Sequence, residues 1–297
     1  MTQQSKNEAT STIMLKTLKS KLENNIQKLY TLKQKGLDIP NVDEILICSQ
    51  VDNPKAVNVF VHGYSAILNN TSKAKLIDKI NKSYKQIDTT NILYLWPAGH
   101  AIETIFNKEN AIKTFLEFKT MSKSAIALSK INGLFEHFKE IQNKAEHLGR
   151  EHFLDKLHDF LIIKNIAHLP INVISHSLGT RLVSSSILAN KNQILSSMKL
   201  NDLVLLAGAT PIDWDWGNVL SSIDGNIYNF YSKKDFVLIS KPDTEKSIGR
   251  YGIKHNIQYT NHTKIQDFEI DCDHWKYWDH LDNIFEKLNE KSILSNS

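Results

Sequence analysis

Apolar positions follow two different rhythms along the chain. Leu15, Leu18, Leu22, Leu29 and Leu32 recur at a three/four spacing with Ile26 beside the stripe, which predicts an amphipathic helix ending near Gly36. Residues 1–40 are read as this N-terminal helix. Its other face is rich in Lys, which suits a solvated surface and leaves open a peripheral membrane or protein partner. The rhythm then changes to short runs of Val, Ile and Leu. These are EILICSQ from Glu44, VNVFVHG from Val57, NILYLW from Asn91, INVIS from Ile171, DLVLLAG from Asp202 and NIYNFYS from Asn226. Several are almost continuously apolar, as strands are when helices cover both faces of a sheet. Their alternation with helical stretches predicts a mostly parallel sheet in one α/β domain over residues 41–297.

One interval breaks the alternation. Between Pro97 and Pro170 the pattern is helical almost throughout, which is too long for a single crossover. A helix near Glu151 to Lys164 is expected as the crossover into INVIS. The remainder, about 101–148, reads as an inserted helical cap, with Phe106, Phe115, Leu116 and Phe118 among its apolar residues.

Composition narrows the function classes. A hydrophobic fraction of 41% and a charged fraction of 23% belong to an ordinary globular chain. The net charge of +4 is carried by Lys, with only Arg150, Arg181 and Arg250 as arginines, so the bidentate reading of phosphates or bases has little to work with and no nucleic-acid partner is expected. Cys48 and Cys272 are too few for a disulfide framework or a thiolate zinc site. His147, Glu151, His152, Asp155, His158 and Asp159 cluster on a predicted helix, but no HExxH spacing occurs and a solvated face is the expectation. There is no GxGxxG and no Walker loop. No metal or organic cofactor is expected. The opening MTQQSKNEATST lacks the apolar core of a leader, so a cytoplasmic protein is expected, with leaderless secretion left open.

The chemistry concentrates in INVISHSLGTRLV, which puts Ser177 between a β run and a helical run. A sharp strand-to-helix turn there would expose a serine hydroxyl and aim a helix N-terminus at a reacting carbonyl. Small residues two positions away on either side, Ser175 and Gly179, let such a turn pass close to its neighbours. An ordinary N-cap serine is the plainer alternative.

The His176-Ser177-Leu178-Gly179 core, together with VNVFVHGYS and its His62 and Gly63, resembles the α/β-hydrolase superfamily over most of the chain from about Glu44. YSKKDFVL and CDHWKYW are similar to segments of a hydrolase group that includes transmembrane and coiled-coil domain proteins. The resemblance implies an α/β-hydrolase fold and two backbone N–H donors for an oxyanion. Leu178 is the candidate for one, and Tyr64, with Ser65 next, for the other. It also implies the chain order Ser, acid, His. Asp235 follows NIYNFYS after a short turn and is the candidate acid, with Asp213, Asp215 and the more remote Asp243 as alternatives. His274 lies between the β-like KIQDFEI and a terminal helical pattern and is the candidate base, ahead of His280, His255 and His262. In this motif His62 is expected to shape its loop. The implied activity is that of a serine esterase or lipase, and the apolar insert favours a lipid or acyl ester. A thioesterase or acyltransferase with the same triad, or a non-catalytic binding protein of the same fold, are the alternatives.

Overall fold

The computed structural model describes residues 43–64, 70–83, 88–98, 123–189, 194–239, 245–254 and 263–289, with the backbone alone for 123–135, 236, 239 and 289. The expected N-terminal helix lies outside the described residues.

Among the described residues seven strands form one sheet: β1 (Glu44–Ser49), β2 (Ala56–Val61), β3 (Thr89–Leu95), β4 (Pro170–His176), β5 (Lys199–Leu206), β6 (Ile227–Tyr231) and β7 (Ile265–Glu269). Their order is β1-β3-β2-β4-β5-β6-β7. Among these strands only β1 runs antiparallel to its neighbour, and their other pairings are parallel. The helices are α1 (Asn70–Ser83), α2 (Lys123–Leu148), α3 (Leu154–Ile163), α4 (Leu178–Ala189), α5 (Trp216–Ser221), α6 (Phe236–Ile239), α7 (Ile248–Tyr251) and α8 (Leu281–Asn289).

The sheet separates two apolar layers, and the two-residue period of each strand decides which side chain enters which. Val57, Val59 and Val61 of β2 join the layer that holds Leu157 and Leu161 of α3 and Leu182 of α4, while Phe60 joins Leu76 and Ile80 of α1 and Leu281, Ile284 and Phe285 of α8. Burial on both faces explains why these strands read as continuous apolar runs.

The crossover into β4 differs from its expected form. Instead of starting near Glu151, the helix runs from Lys123 through a π-helical turn at Gly149–Phe153 and on to Ile163. A Cβ at Gly149 would collide with the Leu182 carbonyl of α4, so glycine lets α2 cross α4 closely where the turn widens. Of the expected cap at 101–148, residues 101–122 lie outside the described residues. Nearer its end, Phe138, Ile141 and Ala145 are part of the hydrophobic core.

The chain goes from β2 outwards to β3 and then returns to the other side of β2 with β4. The strand order therefore reverses at β2 and β4, and the carboxyl ends of strands at such a point flank a crevice where ligands bind. This topology, with the β4-to-α4 turn at the reversal, is the α/β-hydrolase fold. Among the described residues no helix is long and apolar enough to cross a membrane.

Candidate active site

Ser177 is the single residue between β4 and α4, and its φ of 54° lies in the left-handed region. For a residue with a Cβ that conformation costs on the order of 1–2 kcal/mol. Hydrogen bonds hold it in place. The Ser177 N–H donates to the Leu206 carbonyl at 2.9 Å, and the Ser177 carbonyl accepts from the N–H groups of Thr180 and Ala209, both at 3.1 Å. The Thr180 hydroxyl adds a third donor at 2.6 Å. These bonds fix its backbone between β5 and α4.

Two glycines admit the turn. A Cβ on Gly63 would stand 2.5 Å from the Ser177 Cβ, and one on Gly179 would stand 2.6 Å from the His62 carbonyl oxygen. The end of β2 and the start of α4 thus touch through backbone.

The Ser177 Oγ lies 2.8 Å from Nε2 of His274, and Nδ1 of His274 lies 2.7 Å from Oδ2 of Asp235. A carboxylate only accepts, so Nδ1 carries the proton and Nε2 is left to accept from the serine hydroxyl. Asp235 follows β6 and is fully buried. Its other oxygen accepts the Leu238 N–H at 3.0 Å, which fixes the carboxylate plane. His274 follows β7 and opens the 3-10 helix His274–Asp279; like Ser177 it is only 2% exposed.

The alternatives lie elsewhere. Asp213 and Asp215 are exposed, and Asp215 caps α5 by accepting the Asn218 N–H at 2.9 Å. His280 caps the 3-10 helix and accepts from Ile284 in α8 through its backbone. Asp243, His255, His262 and Ser65 lie outside the described residues. Among the described residues, no three His, Cys, Asp or Glu side chains gather as a metal ion would require.

Of the two oxyanion candidates, Leu178 is the first residue of α4, where the helix N-terminus directs unpaired N–H groups and a partial positive charge outward. Tyr64 follows Gly63, and its hydroxyl meets His137 Nδ1 of α2 at 2.9 Å while its ring packs edge-on against Phe138. His62 has both ring nitrogens occupied. Nδ1–H donates to the Gly63 carbonyl at 2.9 Å and Nε2 accepts the Trp96 N–H at 3.3 Å. Burial pushes its pKa down to about 4, so it is a neutral brace for the loop.

One turn beyond the serine, Arg181 is buried against the ring of Trp214 and binds Glu146 of α2 at 2.6 Å and Glu245 at 3.0 Å. It thereby ties the helix after Ser177 to α2. Cys272 stands two residues before His274, and burial, with Asp273 nearby, pushes its thiol up to about 12, so it stays protonated. Two residues at the site were given no role by the sequence pattern. His176 is one. Trp275 is the other, 51% exposed and edge-on to the His274 ring with centroids 5.3 Å apart.

No family model matches the chain, and no curated protein is significantly similar to it. Solved structures do resemble it. YbtT, a type II thioesterase from the yersiniabactin NRPS/PKS biosynthetic pathway, is 9% identical with a TM-score of 0.44, over 83% of this chain and 96% of that one. XC6422 from Xanthomonas campestris, described as an a/b serine hydrolase without lid, is 10% identical with a TM-score of 0.43, over 88% of this chain and 94% of that one. LpqC, a poly(3-hydroxybutyrate) depolymerase from Bordetella parapertussis, is 9% identical with a TM-score of 0.44, over 84% and 83% respectively. These are distant likenesses of fold, and what the site can do follows from its own geometry.

Proposed function

We propose that this protein is a serine hydrolase that cleaves carboxylic esters through Ser177, His274 and Asp235. The supporting observation is the unbroken hydrogen-bonded line from the Ser177 hydroxyl through His274 to the buried Asp235 carboxylate, at the point where the strand order reverses.

In this reading His274 Nε2 takes the hydroxyl proton as Ser177 Oγ attacks the ester carbonyl carbon. The resulting oxyanion is met by the N–H groups of Leu178 and Tyr64. Asp235 stabilises the imidazolium. Collapse breaks the bond to the leaving alcohol, which takes the proton from Nε2 and leaves an acyl-serine. Water then attacks the acyl carbon, giving a proton to Nε2 that returns to Ser177 Oγ as the acid departs. The low dielectric around a dyad this buried strengthens each of these interactions.

A lipid or other long acyl ester is the favoured substrate class, on the apolar content of the sequence between Ala101 and Leu148. The test is steady-state hydrolysis of p-nitrophenyl esters of increasing chain length. Wild type is expected to turn them over with preference for longer chains, and Ser177→Ala to lose about 10³-fold or more in kcat. A Ser177→Ala variant as active as wild type would remove the mechanism. Equal rates on all chain lengths would remove the lipid assignment alone.

A further inference from the structure

His176 is a buried imidazole that the mechanism above does not use. It is 1% exposed, and its ring packs against His274 with centroids 5.1 Å apart, against Trp278 at 5.6 Å and against Tyr277 at 5.9 Å. Its Nε2 lies 2.9 Å from the backbone carbonyl oxygen of His274. A carbonyl only accepts, so Nε2 carries the proton and donates it, and Nδ1 is left as a bare acceptor with no hydrogen-bond partner among the described residues. From that geometry we infer that His176 is the positioning residue for the catalytic base, holding the backbone of His274 so that its ring spans Ser177 and Asp235. This rests on the proposed triad.

The arrangement fixes His274 at both ends. Asp235 grips the imidazole at Nδ1, which sets the tilt of the ring, and His176 grips the main chain, which sets how far the ring reaches. Neither suffices alone. His274 follows the loop 270–273 and opens only the short 3-10 helix His274–Asp279, so its backbone has no long helix or strand to hold it. His176 by contrast closes β4, between β2 and β5, and is the immediate neighbour of Ser177. One short stretch of β4 therefore places both the nucleophile and, through a hydrogen bond across 98 residues, the base. Burial, followed by the charge His274 acquires, pushes the His176 pKa down to about 3, so at neutral pH it adds no competing positive charge beside the imidazolium.

Three variants test this. His176→Phe keeps a ring of similar size and loses the donor, and His176→Gln keeps an N–H where Nε2 stands. The third, His176→Phe with His274→Ala, removes the group through which His176 acts. The Phe variant is expected to lose roughly 10- to 100-fold in kcat with KM little changed, because small displacements of a reacting group carry penalties of that order. Gln should restore most of it, and Phe should cost nothing further once His274 is Ala. In parallel, the downfield proton resonance of the His274 Nδ1–H reports ring placement without any substrate. It should be sharp in wild type and Gln and broadened or lost in Phe. Full kcat in the Phe variant, no rescue by Gln at equal thermal stability, or an unchanged Nδ1–H resonance in Phe would each overturn the inference. A wild type with the resonance but no ester turnover would instead overturn the ester reading and leave His176 in its role.

Discussion

Each oxygen of Asp235 has its own task. Oδ2 takes the imidazole N–H and Oδ1 takes the Leu238 N–H, so the carboxylate is oriented by backbone as well as by His274. An amide accepts only through its oxygen, so it cannot serve both positions. Asp235→Asn is expected to cut kcat by about 10⁴-fold, the loss found when such a base is left in the wrong tautomer. Asp213→Asn should change kcat less than about twofold, and Asp215→Asn should leave kcat alone, with at most ~1 kcal/mol lost from the α5 cap. Parallel kinetics and urea unfolding of the three variants decide the matter; a crippled Asp213→Asn would mean the acid is misassigned. At this scale Ser177, Asp235 and His274 were legible because each follows a β run, and side chains in that position share one edge of a parallel sheet. The contact of His176 was not, since its partner is a carbonyl 98 residues away and backbone atoms leave no mark on composition.

Among the elements, one row of side chains stands out against the apolar background of the strands. Asn91 donates to Ser49 at 2.9 Å, Asn58 to Asn91 at 2.9 Å, Asn172 to Asn58 at 3.1 Å and Asn201 to Asn172 at 2.9 Å. The chain of amides crosses β1, β3, β2, β4 and β5, and Asn58 sits in register opposite both Asn91 and Asn172. A one-residue slip of β2 would turn Asn58 to the other face of the sheet and break the row, so it pins the register that sets His62 and Gly63 beside Ser177. Asn58→Leu leaves an acceptor on Asn91 and a donor on Asn172 buried and unpaired. It is expected to cost about 2–4 kcal/mol in urea unfolding. A loss under about 0.5 kcal/mol would show the row to be incidental. The strands themselves could be read from apolar runs. The antiparallel entry of β1 could not, because β1 is a half-exposed edge strand whose apolar residues mark a strand but not its direction or its neighbour. The continuity of α2 into α3 was not expected, because the helical pattern was divided between a cap ending near 148 and a crossover helix starting near Glu151; Gly149, between them, instead admits a close helix crossing.

Over the whole molecule, the buried imidazoles tie folding to pH. His62 and His176 have an ordinary pKa of 6.5 and are pushed down to about 4 and about 3, in both cases chiefly by burial. Between those values and 6.5 the unfolded chain binds protons that the folded chain refuses. Stability from this source is therefore fully present above pH 6.5 and is lost as pH falls towards about 4 for His62 and about 3 for His176, at up to ~1.4 kcal/mol per pH unit for each histidine. Urea unfolding at pH 7, 6 and 5 should show the decline, with a shallower slope for His62→Gln. A slope that is the same in both proteins would mean that His62 titrates normally.

The central claim is that Ser177 is an activated nucleophile rather than a serine at a tight turn, and covalent labelling reads activation directly. Folded wild type would be treated with a fluorophosphonate, digested, and its peptides mapped by mass spectrometry, with His274→Ala treated alongside. A single phosphonyl adduct on Ser177, formed rapidly in wild type and at least about 10²-fold more slowly without His274, is the result expected of a serine whose proton is taken by that imidazole. Labelling spread over several serines, or a Ser177 adduct that forms equally fast in His274→Ala, would contradict it.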